Sequence, residues 1–267
     1  MNGAVTPEEF DYFHEMIVTQ ELCRTGSRSF NDGNLGGMVI GLPAVLNHAR
    51  NDAVRERVTK DCLSGKKKIC LAISEAFAGS DVAGLKTTAV KSADGSHYIV
   101  NGTKKWITNG TFCDYFVTGV RTKKGFSMLL IERQEGVETQ QIKTSYSTTA
   151  GTAYIKFDNV KVPVENLLGV EDDGFRVIMT NFNHERWMIT TFSIRTSRMI
   201  VEDCLKWSNQ RMVFGKRLIE QPVIRQKYVH TQSFSSPQHP LLTLRYANPS
   251  PPDSPKSSPT PRRSNRT

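Results

Sequence analysis

The sequence predicts an α+β protein built in the order helices, antiparallel β domain, helices. Three observations carry that prediction. Apolar residues recur at helical spacing up to about residue 65; short β-branched or alternating runs parted by turn dipeptides fill 66–168; and helical spacing returns at Gly174. The chain therefore divides into a partial N-terminal helical domain (1–65), a middle β domain (66–168), a partial C-terminal helical domain (169–227) and a tail (228–267).

Each element has its own signal. Thr6 is a candidate N-cap with Pro7 at the first helical position and Glu8-Glu9 in the first turn, so a helix is expected to run to about Thr25, with Phe10, Phe13, Ile17 and Leu22 inward and Gly26 as its stop. A glycine-rich stretch, Gly33 to Gly41, overlaps a second helical pattern over Met38–Ala49, and Asp52–Leu63 makes a third, ended at Gly65. Strands are expected at Ile69–Ile73, Thr87–Lys91, His97–Val100, Lys104–Thr108, Tyr115–Arg121, Phe126–Ile131 and Ala153–Val162. Asp94-Gly95, Asn101-Gly102, Asn109-Gly110 and Lys124-Gly125 stand between them as hairpin-type turns, and strands spaced so tightly favour a small barrel or sandwich. From Gly174 onward, Ile178, Phe182, Glu185, Ile189, Phe192, Thr196 and Met199 step by fours and threes along one helical seam, and a further helix is expected from Val201 to about Phe214.

Composition narrows the function classes. The 267 residues carry a formal charge of +9, but the stretch from Tyr228 to Thr267 alone holds five basic residues against one acid, together with eight of the 12 prolines. Such a segment, without apolar periodicity, is expected to be disordered. Nothing in that tail alternates aromatic and basic residues as nucleic-acid stacking platforms do, and no nucleic-acid motif is present, so no specific nucleic-acid partner is expected. The five cysteines, at 23, 62, 70, 113 and 204, form no Cys-x-x-Cys pair, which leaves neither a disulfide frame nor a metal site. No apolar run reaches the roughly 18 residues of a membrane span, and no targeting segment is visible.

Four clusters stand out chemically. Glu185 occupies a seam position where packing would ask for Leu or Ile; a carboxylate there loses water, its pKa rises, and it becomes either a general base or one half of an ion pair with Arg186 or Arg195. A zinc reading of His184-Glu185 fails because Met188 stands where the second His is needed. Ala78-Gly79-Ser80-Asp81 could approach a phosphate closely or simply form an Asp-capped turn. Trp106 and Thr108, two residues apart on one strand, suit stacking on a planar ring while bonding its edge, although a strand Trp also serves as plain core. Arg211, ahead of the Gly215 turn, suits a phosphate clamp or a solvated helix end.

In this order, Ile73-Ser74-Glu75 with Ala78-Gly79-Ser80-Asp81, Trp106-Ile107-Thr108-Asn109-Gly110, Asp158-Asn159-Val160 with Val162-Pro163, Asn166-Leu167-Leu168-Gly169, Glu185-Arg186 and Arg211-x-x-Phe214-Gly215 resemble the acyl-CoA dehydrogenase family over about residues 10–227. The resemblance implies that family's α+β fold and an FAD held without a covalent bond. It implies that Ile73, Ser74, Gly79 and Ser80 meet the flavin and its pyrophosphate, that Trp106 and Thr108 lie beside the ring, and that Arg211 and Phe214 reach the FAD of a neighbouring subunit in a dimer or tetramer. Ser80, Asn183 and Arg186 fall where the family contacts the CoA thioester, and Glu185 before Arg186 matches one of the two places where it carries its catalytic glutamate. The implied reaction is α,β-dehydrogenation of an acyl-CoA to a trans-2-enoyl-CoA, with Glu185 taking the α-proton, the β-hydride passing to flavin N5, and an electron-transfer flavoprotein or O₂ as acceptor.

The chain also departs from the family. Ala76-Phe77 replaces the usual Pro-Gly, Val213 stands where a Thr is common, the N-terminal helical part is short, and after Lys227 the family pattern stops, as in a chain truncated at both ends with an unrelated tail. A flavin oxidase acting on acyl-CoA or nitroalkane-type substrates, or a catalytically silent family fragment, are the alternatives. The resemblance implies mitochondria or peroxisomes, and the lack of a visible signal leaves the cytoplasm open as well; acyl chain length and compartment are not written in the sequence.

Overall fold

The computed structural model describes residues 5, 6 and 9–235; Pro7, Glu8 and residues 236–267, the bulk of the expected tail, lie outside the described residues. Contacts divide the chain into two compact units, Gln20–Met199 and a second made of Met1–Thr19 with Ile200–Thr267. The architecture is α+β, as expected, with helices on both sides of the β domain in sequence.

Helix α1 spans Tyr12–Cys23 and starts later than Thr6 because Asp11 is the effective cap: its Oδ1 accepts from the backbone N–H groups of Phe13 (3.0 Å) and His14 (3.1 Å). Phe10, Phe13 and Ile17, expected inward, are exposed. After α2 (Arg28–Asn31), the glycine-rich stretch forms one π-helical turn, Asp32–Gly36, leading into α3 (Gly37–His48). Helix α4 (Asp52–Leu63) has the expected bounds, capped by Asn51, which accepts from Ala53 N (2.9 Å) and Val54 N (3.3 Å).

Eight strands follow: β1 (Ile69–Ala72), β2 (Thr88–Lys91), β3 (His97–Ile107), β4 (Tyr115–Arg121), β5 (Phe126–Glu132), β6 (Val137–Gln141), β7 (Ala153–Pro163) and β8 (Leu167–Leu168). They form one sheet in the order β6-β7-β3-β2-β4-β5-β8, with β1 also on β4. The sheet is mostly antiparallel, but β1 runs parallel to β4 (Ile69↔Tyr115 to Ala72↔Thr118), and β2 meets the same edge of β4 in parallel at Arg121. The two strands expected at His97–Val100 and Lys104–Thr108 are one. Asn101-Gly102 is a bulge rather than a turn: the register against β7 slips between Val100 and Gly102, and Gly102 sits at φ +145°. Asp94-Gly95 and Lys124-Gly125 do turn hairpins, β2 to β3 and β4 to β5.

The sheet has an apolar layer on each face. Tyr115 and Val117 of β4 with Met128 and Leu130 of β5 join α3, α4 and the start of α5 in one core, while the alternating Phe116, Val120, Leu129 and Ile131 join β3 and β7 in the other. Covering both faces explains why β1, β4 and β5 read as nearly unbroken apolar runs.

Helix α5 spans Gly174–Gln210, so the break expected near Val201 is absent. Its buried residues include Val177, Ile178, Asn181, Trp187, Thr191, Val201 and Ser208; of the expected seam Ile178 is buried, Phe182, Glu185, Phe192, Thr196 and Met199 are half-buried, and Ile189 is exposed. In the second unit, β9 (Met212–Val213) and β10 (Lys216–Arg217) form a small hairpin, followed by α6 (Pro222–Ser235). Helix α6 passes through Lys227 without a break, so the first eight residues of the expected disordered tail are helical. No helix among the described residues is long and apolar enough to cross a membrane.

Candidate active site

The site begins where β1 leaves the sheet. Ile73 turns its side chain into the core, against Gly119, so only its backbone faces the loop. Glu75 N–H donates to Ala78 O (2.9 Å) and Ala78 N–H to Glu75 O (3.3 Å), closing a tight turn with Ala76 and Phe77 at its tip; Phe77 is 88% exposed. Gly79 and Ser80 follow on the surface, and Gly79 has open space where a side chain would be.

A buried ion pair fixes this turn. Lys104 of β3, with 0% exposure, donates from Nζ to Glu75 Oε1 (2.8 Å) and to Ile73 O (3.1 Å). The Glu75 carboxylate also accepts from Lys86 N (2.6 Å), Thr87 N (3.0 Å) and Thr87 Oγ1 (2.7 Å). Burial pulls the Lys104 ammonium down to about 8 against the pull of Glu75. Burial opposes the charge on Glu75, yet Lys104 and then Thr87 hold its carboxyl below the usual range. With two acceptors on the Lys104 ammonium and four donors on the Glu75 carboxylate, the pair ties β1, β2 and β3 together beneath the turn.

Past Lys104 the strand is deformed. Lys105 N–H donates to Ser74 O (2.9 Å), bringing the end of β3 beside the end of β1, and Trp106 takes φ +68°. The register shift between Lys104 and Ile107 breaks the alternation assumed for Trp106 and Thr108. The indole is 55% exposed rather than core, with the Lys105 ammonium 4.8 Å from its ring centre. Asn109, at φ +64°, accepts from Gly37 N (2.6 Å) and donates to Asp32 O and Ala150 O (both 2.9 Å). Thr108 lies alongside Gly36, where an added Cβ would stand 3.4 Å from the Thr108 methyl. The first turn of α3 is thereby locked to the end of β3.

Helix α3 is locked in turn to α5: Asn181 Nδ2 donates to Ile40 O (2.6 Å). One helical turn on from Asn181 stands Glu185. It is half-buried and its carboxylate has no hydrogen-bond or ion-pair partner among the described residues; burial raises its pKa, opposed first by Arg186 and then by His184. No ion pair to Arg186 or Arg195 forms. Asn183 and Arg186, on either side of Glu185 in sequence, are exposed. The Ser74–Lys105, Asn109–Gly37 and Asn181–Ile40 hydrogen bonds thus link the ends of β1 and β3 through α3 to the α5 turn bearing Glu185, all within the unit Gln20–Met199.

Arg211 and Phe214 belong to the second unit. Arg211 is the first residue past α5 and its carbonyl accepts from Leu218 N (2.7 Å); Phe214, at φ +52° and 94% exposed, is at the tip of the β9–β10 hairpin. Sequence reasoning gave no role to Lys104 or Asn181, and read Asn109-Gly110 as a hairpin turn; the chain does turn there, but β3 and β4 do not pair across it. The available signal for the first was a Lys in an otherwise apolar-alternating strand, for the last a polar residue one turn before Glu185.

Comparison with known proteins defines the class. The family description "Acyl-CoA dehydrogenase, middle domain" matches residues 70–160, and "Acyl-CoA dehydrogenase, C-terminal domain" matches 172–233, six residues beyond Lys227. The chain belongs to the acyl-CoA dehydrogenase family. It is 44% identical over 229 residues to the acyl-CoA dehydrogenase apdG of Emericella nidulans, covering 84% of this chain and 52% of that one. It is 28% identical over 249 residues to the glutaryl-CoA dehydrogenase of Desulfococcus multivorans, covering 86% and 63%. Among solved structures, an acyl-CoA dehydrogenase from Bacillus anthracis complexed with FAD superposes with a TM-score of 0.78 at 27% identity, covering 86% of this chain and 40% of that one. The chain spans about half the length of the first curated relatives it matches.

Proposed function

We propose that the protein dehydrogenates the Cα–Cβ bond of an acyl-CoA thioester, with FAD as cofactor and Glu185 as the base. The observation that carries this reading is the Glu185 carboxylate: half-buried, unpaired, with a raised pKa and on a helix bound through α3 to the end of β3. A carboxylate left without a partner in that setting takes up a proton more readily than a surface one.

FAD fits the residues present. The outward Trp106 indole, with the Lys105 ammonium near it, offers a flat cationic edge, while exposed Gly79 and Ser80 offer backbone and hydroxyl donors with no side chain in the way. Ser74, Trp106 and Thr108 would hold the ring region, and Ile73 would contribute its backbone alone. Bound there, FAD supplies the acceptor for the β-hydride. Ser80, Asn183 and Arg186 bind the thioester arm, Arg186 suiting its phosphates. Glu185 removes the α-proton, and the product is the trans-2-enoyl thioester. The electrons pass on to an electron-transfer flavoprotein. Arg211 and Phe214 serve the cofactor of a second subunit in a homo-oligomer.

The test is the visible spectrum of the purified protein titrated with a panel of acyl-CoAs. Wild type is expected to carry flavin and bleach with at least one member, and Glu185→Gln to keep the flavin without bleaching. A Glu185→Gln protein that bleaches at the wild-type rate refutes the assignment, and rapid oxygen uptake without added acceptor moves the protein to the oxidase reading.

A further inference from the structure

Asn181 is 4% exposed, and its side chain is half used. Nδ2 donates to Ile40 O at 2.6 Å, whereas Oδ1 is buried without a hydrogen-bond partner. The amide orientation is fixed, since the reverse would set two carbonyl oxygens against each other at that distance. An orphaned buried acceptor is destabilising, so its retention calls for a donor. Residues four apart lie one above the other on a helix face, and helical side chains lean toward the N-terminus, so Glu185 stands one turn on from Asn181 on the same face of α5.

We propose that Asn181 is a positioning residue for Glu185, its amide oxygen accepting the hydrogen bond from the carboxyl that forms when Glu185 takes the α-proton. The inference rests on Glu185 being the base. In the step, the substrate α-C–H bond breaks and a Glu185 O–H bond forms. The released electron pair becomes the second bond of the enoyl product as the β-carbon gives up its hydride to the acceptor that bound FAD would supply, and the new O–H donates to Asn181 Oδ1. While Glu185 is ionised it offers no donor, which is in keeping with an amide oxygen left unsatisfied in the resting state. Burial raises the pKa of Glu185 and so favours the protonated carboxyl that the step forms. The charges acting on that carboxyl are Arg186 and His184 of its own helix, both favouring ionisation; α3, bonded to this stretch through Ile40, brings the apolar Met38 and Ile40. A ligand is a poor alternative donor, because Oδ1 is closed off from solvent.

The test is Asn181→Leu, which keeps most of the volume and removes the acceptor. Infrared titration of the ligand-free protein reads the Glu185 carboxyl directly, its band being the one missing in Glu185→Gln, and the acid limb of the bleaching rate reads it in the working enzyme. The expected result is a fall of about one pH unit in both midpoints, a roughly tenfold loss of proton affinity, with KM for the thioester unchanged. A lower melting temperature with unmoved midpoints overturns the proposal, because it leaves Asn181 only its bond to Ile40. If Asn181→Leu does not fold, Asn181→Asp, of equal volume, is expected to raise the Glu185 midpoint by at least one unit through sharing of a proton; an unmoved midpoint again overturns it. Normal bleaching by Glu185→Gln fells the base assignment itself, whereas an inactive Glu185→Gln with an unshifted Asn181→Leu fells only the role of Asn181.

Discussion

Replacing Lys104 by Met keeps the length of the buried stem and removes its ammonium. Two bonds go with it, to Glu75 Oε1 and to Ile73 O. Glu75 keeps its donors from Lys86 N, Thr87 N and Thr87 Oγ1 but loses its countercharge inside the protein, and the Ile73 carbonyl is left unpaired. Removing one partner of a buried pair costs about 3–5 kcal/mol; because three donors remain on Glu75, about 3 kcal/mol is expected. Urea unfolding followed by circular dichroism and tryptophan fluorescence measures the loss, coincident transitions being the check that one free energy describes it. The double variant Glu75→Gln with Lys104→Met removes both charges and is expected to recover about 1–2 kcal/mol relative to the sum of the single changes. A Lys104→Met protein within about 1 kcal/mol of wild type, or a double variant with no recovery, refutes the view that the pair is tightly coupled and anchors the turn at 75–78.

Gly102→Ala sets a Cβ 2.6 Å from the Thr87 Cα at φ +145°, which is expected to destabilise the protein by about 2–4 kcal/mol in the same urea assay. Asn109→Asp keeps the acceptor for Gly37 N but turns a carboxylate toward the carbonyls of Asp32 and Ala150; a loss of about 2–4 kcal/mol is expected, with wider hydrogen exchange in the first turn of α3. The raised pKa of Glu185 means that the folded protein binds its proton more tightly than the unfolded chain, so this group stabilises at low pH and the contribution is lost as pH rises through the folded value. Glu185→Gln is therefore expected to raise the melting temperature at pH 8 relative to wild type and to leave it nearly unchanged at pH 4. A calorimetric scan at the two pH values decides it.

Much of the frame was legible because local signals and tertiary packing agreed. Helix α4 has its cap in Asn51 and its stop in Gly65, and the paired apolar runs of β4 and β5 are flanked by a true turn at Lys124-Gly125. Legibility failed where one residue type serves two geometries. Asn101-Gly102 is a good hairpin turn, yet Gly102 is needed there because β3 bulges against Thr87 with no room for a Cβ. Strand β6, Val-Glu-Thr-Gln-Gln, pairs at the sheet edge through its backbone and shows no apolar alternation. Phe13 and Ile17 of helix α1 sit at helical spacing yet are exposed within the described chain, so periodicity alone overstated its burial. At the candidate site, Glu185 was visible as a carboxylate out of place. Its neighbours in space were not, because the links from Asn109 to Gly37 and from Asn181 to Ile40 join residues 72 and 141 positions apart.

The parallel pairing of β1 with β4 sets the order in which the protein can form. Ile69 finds its register partner only at Tyr115, forty-six residues later. At a synthesis rate of about 5–20 residues per second, β1 waits roughly 2–9 s without the strand that completes it. Throughout that interval Ile-Cys-Leu-Ala, buried at every position in the finished protein, is exposed to other chains. The antiparallel β4–β5 hairpin can close as soon as it is made, whereas β1 must be inserted against a strand that arrives late, and parallel closure over such a span is intrinsically slow. The residence time of this nascent segment is therefore expected to influence the yield of soluble protein on expression. Slower translation before β4 should lower it, and a holding chaperone should restore it.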